Sequence, residues 1–266
     1  LCVTGKIREL ILVAEAFHAR KIAAVADEIA RNRSRVKLVL IAGPSAAGKT
    51  TLVKRLAIQL RIHGLEPTLL SMDNYFKDRD QTPRDKNGDV DFETLVALDL
   101  GLFHRHLGEL IEGKKIEAPI FSFKSGKRKK VTRPIRITGD KVLLIEGIHC
   151  LNSRVTAPVP VKNKFRIYIN ALTQIRLDNH TRIFTSDTRL LRRIVRDRIF
   201  RGWSGAETIQ RWPLVRRGEK KNIFPFQEEA DAMFNSALFY ELAVLKNYAE
   251  LALLDITPDQ PEYVEA

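Results

Sequence analysis

The sequence predicts an α/β fold in which a mainly parallel five-stranded sheet is flanked by helices, and three observations predict it. A nearly all-apolar run at 36–42 enters a glycine loop at 43–51, and residues 52–60 continue with apolar side chains at helical spacing. Four more short apolar runs, at 68–72, 141–147, 165–169 and 230–237, read as buried strands. Two of these runs lead into carboxylates, Asp73 and Glu146, and in open α/β sheets the carboxyl ends of the strands line the ligand crevice.

Taken in order, residues 6–31 read as one amphipathic helix with an expected break near Arg20. Ile7, Leu10, Ile11, Ala14, Phe17, Ile22, Val25, Ala26 and Ile29 share one face, a stripe that packs, and His18 within it reads as structural rather than catalytic. The loop that follows is Gly-Pro-Ser-Ala-Ala-Gly-Lys-Thr-Thr at 43–51. Strand, loop and helix start aim several backbone N–H groups at one anion, at the positive end of a helix dipole. Gly43 and Gly48 let the backbone curl, Lys49 reaches toward the β- and γ-phosphates, and Thr50 offers a hydroxyl to Mg²⁺. With Ser45, Ala46, Ala47 and Thr51, these are the candidate nucleotide-binding residues of the loop.

Gly64 ends the first core helix, and Asp73 is placed to face the γ-phosphate. Residues 77–91 form a polar surface loop, and a helix is expected from Asp91 to about Ile111. Apolar runs at 116–123 and 131–137 around a basic turn at 125–128 predict a projecting β-hairpin, placed at 115–138. Arg189, Arg192, Arg193, Arg196 and Arg201 recur at helical spacing, which reads either as a solvated face or as a lid, placed at 188–222, that lays arginines over phosphates. A closing helix covers 241–254. The domain reading is thus a helical extension at 1–34, a core domain at 35–257 and a frayed end at 258–266.

The chain of 266 residues is long enough to bury a sizeable core. Two cysteines, Cys2 and Cys150, exclude a disulfide framework and a cysteine metal cluster, and suit a reducing cytoplasm. No apolar run approaches the ~20 residues that cross a bilayer. The chain does not begin with Met, so it is expected to be a trimmed form or the later part of a longer polypeptide. The net charge of +13, concentrated at 124–130, 189–201 and 216–221, suits phosphorylated small molecules, nucleic acid or an anionic surface. Zinc spacings and an aromatic-glycine RNA-binding signature are missing, which argues against nucleic acid.

Four blocks in order carry a family resemblance: the loop at 43–51, Ser-Met-Asp-Asn-Tyr-Phe at 71–76, Ile-Glu-Gly-Ile-His at 145–149, and Arg-Arg-Ile-Val-Arg-Asp at 192–197 followed by Arg201 and Gly202. With these the chain resembles the uridine kinase and phosphoribulokinase group of phosphate-loop kinases, from about Val36 to Leu254. It is similar in particular to a bacterial uridine kinase-like branch whose members often carry an N-terminal segment related to threonyl-tRNA synthetase. The resemblance implies the P-loop NTPase fold, ATP and Mg²⁺, and dimers or tetramers. It implies Asp73 as the base that takes the acceptor's hydroxyl proton, Glu146 beside Thr50 on the Mg²⁺ shell, and Arg193, Arg196 and Arg201 as lid arginines on the ATP phosphates. On the acceptor side it implies Tyr75, Asp91 on sugar hydroxyls, and Phe121 and Phe123 against a base.

One departure stands out. Where uridine kinases place a base-reading histidine this chain has Gly126, and Phe121 lacks a tyrosine's hydroxyl, so pyrimidine selectivity should be weak. Arg128 remains available for an anionic or polyhydroxy acceptor. The expected function is ATP- and Mg²⁺-dependent transfer of a phosphoryl group to a hydroxyl of a small acceptor, a uridine- or cytidine-like nucleoside first. Another sugar, polyol or sugar phosphate is the alternative acceptor, and a nucleotide-binding regulatory or RNA-associated protein is the alternative of another class.

Overall fold

In the computed structural model, residues 5–85, 88–139, 141–176 and 178–266 are described. Cys2, and Lys86 and Asn87 of the polar loop, lie outside them. The central sheet has five strands, β1 (Leu38–Ala42), β2 (Glu66–Ser71), β7 (Lys141–Glu146), β8 (Lys164–Asn170) and β9 (Ala232–Asn235). Their order is β2-β7-β1-β8-β9 and every ladder is parallel. All five carboxyl ends therefore open on one edge. The chain moves to one side of β1 for β2 and β7 and to the other for β8 and β9, so the crevice forms beyond the end of β1.

Alternation along the strands divides the core in two. Leu38, Leu40, Leu143, Ile145 and Tyr168 face one layer, which is closed by α3 (Leu100–Ile111) and the projecting hairpin. Val39, Ile41, Leu144, Ile167 and Ile169 face the other, closed by α1 (Ile7–Arg31) and α2 (Lys49–Ile62). A third cluster, with Leu190, Ile194, Ile209, Trp212 and Ala252, joins α4 (Thr185–Arg201), α5 (Gly205–Asn222) and α6 (Glu241–Leu254). Packing between α4 and α6 anchors the arginine helix to the end of the chain. None of the helices is long and apolar enough to cross a membrane, among the described residues.

Three expectations are corrected. The helix at 7–31 is unbroken at Arg20, and its buried stripe is Ala14, His18, Ile22, Ala26 and Ile29, whereas Phe17 is 50% exposed. The helix expected from Asp91 begins only at Leu100, because local side-chain bonds compete with it. Asp91 Oδ1 accepts from the Glu93 N–H at 2.9 Å, and Asp99 caps α3 by accepting from the Leu102 N–H at 3.0 Å. The hairpin is two short antiparallel ladders instead of one, β3 (Lys115–Ala118) with β6 (Arg133–Arg136) and β4 (Phe121–Ser122) with β5 (Lys127–Arg128).

Candidate active site

The loop at 43–51 sits at the end of β1, and its shape has three local causes. Ala46 and Gly48 both take positive φ, +59° and +93°, which turns the chain into the start of α2. Gly43 needs no such φ; a Cβ there would lie 2.0 Å from the Ile169 carbonyl oxygen, so only glycine allows the loop to press against β8. Five successive carbonyls are then engaged. Lys49 Nζ donates to Gly43 and Pro44 at 2.9 and 3.1 Å, Arg189 to Ser45 at 3.1 Å, Arg192 to Ala46 at 3.3 Å and the Ser236 hydroxyl to Ala47 at 2.6 Å. With those acceptors occupied, the loop offers N–H groups to an anion.

The carboxyl ends of β2 and β7 bring the acidic residues alongside. Thr50 Oγ1 and Ser71 Oγ both donate to Glu146 Oε1, at 3.3 and 2.9 Å. Burial pushes the Glu146 carboxyl upward, and the neighbouring Asp73 charge adds to the shift. Burial lowers the Lys49 ammonium, an effect opposed by Glu146 and Asp73. Asp73 stands in a single 3-10 turn, Met72–Tyr75, just past β2. The hydroxyl and carboxylate oxygens of Thr50, Ser71 and Glu146 form a hard donor set of the kind Mg²⁺ takes.

The arginines of α4 are not a solvated stripe. Arg189 is 1% exposed and forms a two-pronged ion pair with Glu219 of α5, which Arg216 also meets at 2.8 Å. Arg193 Nη1 donates to Ser45 Oγ at 2.8 Å. Arg193, Arg196 and Arg201 all stand on the fully buried carboxylate of Asp197, at 3.3, 2.7 and 3.4 Å. Arg192 pairs with Glu241 and Ser236. Burial lowers Arg201 to about 10, with Arg196 adding to the fall, which leaves it charged at neutral pH.

Two cavities meet at this point. One, of about 580 Å³, holds the phosphate loop with Thr50, Thr51, Glu146, Arg192 and Ser236. The other, of about 100 Å³, is lined by Phe76, Phe92, Glu93, Phe121 and Trp203, and it adjoins a further 190 Å³ lined by Arg79, Arg84, Trp203 and Arg211. Lys49, Asp73, Phe123, Arg196 and Arg201 line both of the first two. Arg201 stacks on the Phe123 ring at 4.1 Å, and Phe76, Phe92, Phe121 and Phe123 pack edge to face with centroids 5.2–6.2 Å apart.

Several expected acceptor residues stand elsewhere. Tyr75 is fully buried, with its hydroxyl 3.0 Å from His106 Nδ1 and its pKa pushed up by burial, so it is a core residue. Arg128 is occupied: it donates to the carbonyls of Phe76 and Tyr75, both at 2.9 Å, and pairs with Asp99 at 3.2 Å, fixing the turn that carries Asp73. Asp91 caps its own turn and lines neither of the two main cavities. Two residues on, Glu93 does line the smaller one. Its Oε2 is buried without a hydrogen-bond partner, and burial raises its pKa to about 7 against the pull of Arg193. Glu93, Asp197, Glu219 and Arg79 are the residues that sequence reasoning missed. The (i, i+4) spacing of Arg193, Asp197 and Arg201 was the one available signal.

The model of the "Phosphoribulokinase / Uridine kinase family" matches residues 38–241. A uridine kinase of Borrelia turicatae is 32% identical over 198 residues, 74% of this chain and 84% of that protein. One of Brevibacillus brevis is 28% identical over 209 residues, 78% of this chain and 88% of the other. In structure, D-glycerate 3-kinase from Cryptococcus neoformans superposes with a TM-score of 0.52 at 15% identity, over 79% of this chain and 89% of that one, which shows the shared fold. Phosphate loop, parallel sheet and family match together make the chain a member of the phosphoribulokinase / uridine kinase family, a P-loop kinase that transfers phosphoryl groups.

Proposed function

We propose that the protein uses ATP and Mg²⁺ to phosphorylate a hydroxyl of a small acceptor, a uridine- or cytidine-like nucleoside in the first instance, in the cytoplasm. The observation that carries this reading is the junction: Lys49, Asp73, Phe123, Arg196 and Arg201 line both the phosphate-loop cavity and the aromatic one. A group held in the first can pass to a hydroxyl held in the second beside Asp73. The relatives named uridine kinase, and the aromatic cavity, support a nucleoside.

Each residue then has a task. Loop N–H groups and Lys49 bind the phosphates, and Lys49 leaves its own loop's carbonyls to do so. Arg193, Arg196 and Arg201 balance the charge on the transferring group. Asp73 accepts the proton from the acceptor hydroxyl. Glu93, which lines the cavity and keeps one oxygen without a hydrogen-bond partner, takes the sugar-hydroxyl role that the resemblance placed on Asp91. Thr50, Ser71 and Glu146 would hold Mg²⁺, which supplies charge neutralisation on the β- and γ-phosphates.

A second acceptor reading rests on Gly126. A Cβ there would meet Arg79 Nε at 2.7 Å, so a guanidinium fills the space beside this glycine. Arg79, Arg84 and Arg211 line the adjoining volume, which favours a polyol or sugar acceptor that carries an anionic group. Acceptor-dependent ATP consumption across nucleosides, polyols and sugar phosphates decides. Fast turnover on uridine or cytidine supports the first reading, turnover only on anionic acceptors the second. Tight ATP binding with no acceptor-dependent turnover would overturn both in favour of a regulatory nucleotide-binding protein.

A further inference from the structure

Helix α1 lies outside the residues that match the family, yet it does more than cover the sheet. His18 and Ile22 line the phosphate-loop cavity. Beyond them lies a separate cavity of about 310 Å³, between α1 and the loops that follow β8 and β9. His18 and Leu238 are common to both, so the two spaces adjoin at these side chains. The helix is tied in place there: His18 Nε2 lies 3.1 Å from the Ala237 carbonyl, and Glu15 accepts from Arg55 of α2 at 2.7 Å and from the Tyr240 hydroxyl at 2.6 Å.

The chemistry of this cavity is that of a flat, weakly polar ring. Phe17 and Phe239 both line it, and they are 50% and 53% exposed, large apolar surfaces turned to solvent beside a cavity. Its cation, Lys21, stands with its ammonium 4.3 Å over one face of the Phe17 ring, which leaves the other face for a ligand, and its remaining polar groups are largely engaged. Asn235 Oδ1 accepts from the N–H groups of Leu172 and Ala237, and its Nδ2 donates to the Leu172 carbonyl. Thr173 is bonded to Thr188. Glu241, the carboxylate on the lining, is held by Arg192. Gln174 is an exposed amide on the rim. An amide pairs with the donor–acceptor edge of adenine, whereas guanine's N1–H and amino group call for a free carboxylate. A volume of 310 Å³ stands at the low end for a ligand site and suits one base rather than a whole nucleotide.

We propose that this cavity is the base subsite of the nucleotide whose phosphates lie on the loop at 43–51, with α1 as one of its walls. Adenine stacks between Phe17 and Phe239, and Gln174 reads its edge. The proposal rests on the kinase reading above, because the phosphate loop defines where the nucleotide begins. It makes α1 a part of the donor site and a source of ATP-over-GTP preference.

The test uses the full chain and three probes, ATP, GTP and inorganic tripolyphosphate, with affinities measured by calorimetry. Base–aromatic stacking is worth roughly 5- to 150-fold in affinity per ring. Phe17→Ala and Phe239→Ala should each weaken ATP by about that factor and leave tripolyphosphate unchanged, which also reports an intact fold. Gln174→Ala should narrow the ratio of ATP to GTP affinity. Leu12→Ala, on an exposed part of α1 that lines no cavity described above, should change nothing. Unchanged ATP affinity in Phe17→Ala, or equal losses for ATP and tripolyphosphate, would overturn the proposal. Lys49→Ala separates the two levels. If it abolishes binding of both ligands while Phe17→Ala spares ATP, the kinase reading stands and the α1 subsite falls. If it spares both ligands, the phosphate-loop reading itself fails, and the base subsite with it.

Discussion

The phosphate loop and the arginine helix face the same cleft and are built in opposite ways. The loop is nine consecutive residues shaped by their own backbone, and its one charged side chain, Lys49, is satisfied by carbonyls five and six residues away. The arginine helix is held by carboxylates. Asp197 anchors three arginines within α4, while Glu219 from α5 and Glu241 from α6 take Arg189 and Arg192. A buried charge is costly unless paired, so these acids fix where the cations stand before any phosphate arrives. The roof also grips the floor, since Arg189, Arg192 and Arg193 all reach the loop at Ser45 or Ala46. In its folding, though not in its binding of phosphates, a floor made of backbone should tolerate loss of charge but not of shape, and a roof made of ion pairs the reverse.

The largest expected effect lies between the two. Asp73→Asn should lower kcat by ~10²–10⁴-fold with the KM for ATP little changed. Retained turnover on a true acceptor would remove Asp73 as the base. In the roof, Glu219→Leu strands the buried Arg189 and should reduce stability by about 3–5 kcal/mol, read by thermal melting. The double variant Arg189→Met/Glu219→Leu should regain much of that stability but not nucleotide affinity, because the Ser45 carbonyl has lost its donor. Recovery of both would mean that Arg189 packs without gripping the loop. In the floor, Gly43→Ala changes no charge, yet its Cβ would meet the Ile169 oxygen. It should cost about 1–3 kcal/mol and lower tripolyphosphate affinity; a silent substitution would break the comparison.

Glu93 gives a pH-dependent test. Its carboxyl titrates near 7 in the folded protein against 4.5 as a free side chain, raised by burial. Its stabilising contribution is therefore complete below about pH 4.5 and is lost as pH rises through 7. His149, lowered by burial to about 4, acts in the opposite sense below pH 6.5, so the variant must be compared with the parent at each pH. Glu93→Gln should melt progressively higher than the parent from pH 5 to 8, and parallel curves would show that Glu93 does not titrate there. The smallest effect is expected at Gly126→Ala, where φ is +68° and Arg79 must shift. Roughly 1 kcal/mol of stability should be lost, and the acceptor KM should move while that of ATP stays.

Much of the floor was legible because its parts are contiguous or sit at strand ends. The strand–glycine loop–helix order placed Lys49 and Thr50, and a parallel sheet brings Asp73 and Glu146 to the same edge as the loop. The acceptor side was less legible. Asp91 and Glu93 are two residues apart, and only the turn between them decides that the first caps and the second lines the cavity. Arg128 offered the charge of a ligand contact, but its fork is used by two carbonyls and Asp99 about fifty and twenty-nine residues away in sequence. The same holds for Phe17, whose helical spacing assigned it to the packed face while the fold leaves it half in solvent beside a cavity.

By itself, then, the sequence determined the α/β class, the phosphate loop and the acids at the strand ends, because those depend on the conformations of neighbouring residues and on strand periodicity. The tertiary structure alone decided which arginines are buried and by what acids they are held. It also decided that Glu93 lines the aromatic cavity and Asp91 does not, and that α1 borders the phosphate-loop cavity. Pairing and burial are properties of which elements meet, and residues as far apart as Ser45 and Arg189 meet only when the sheet and its helices have closed.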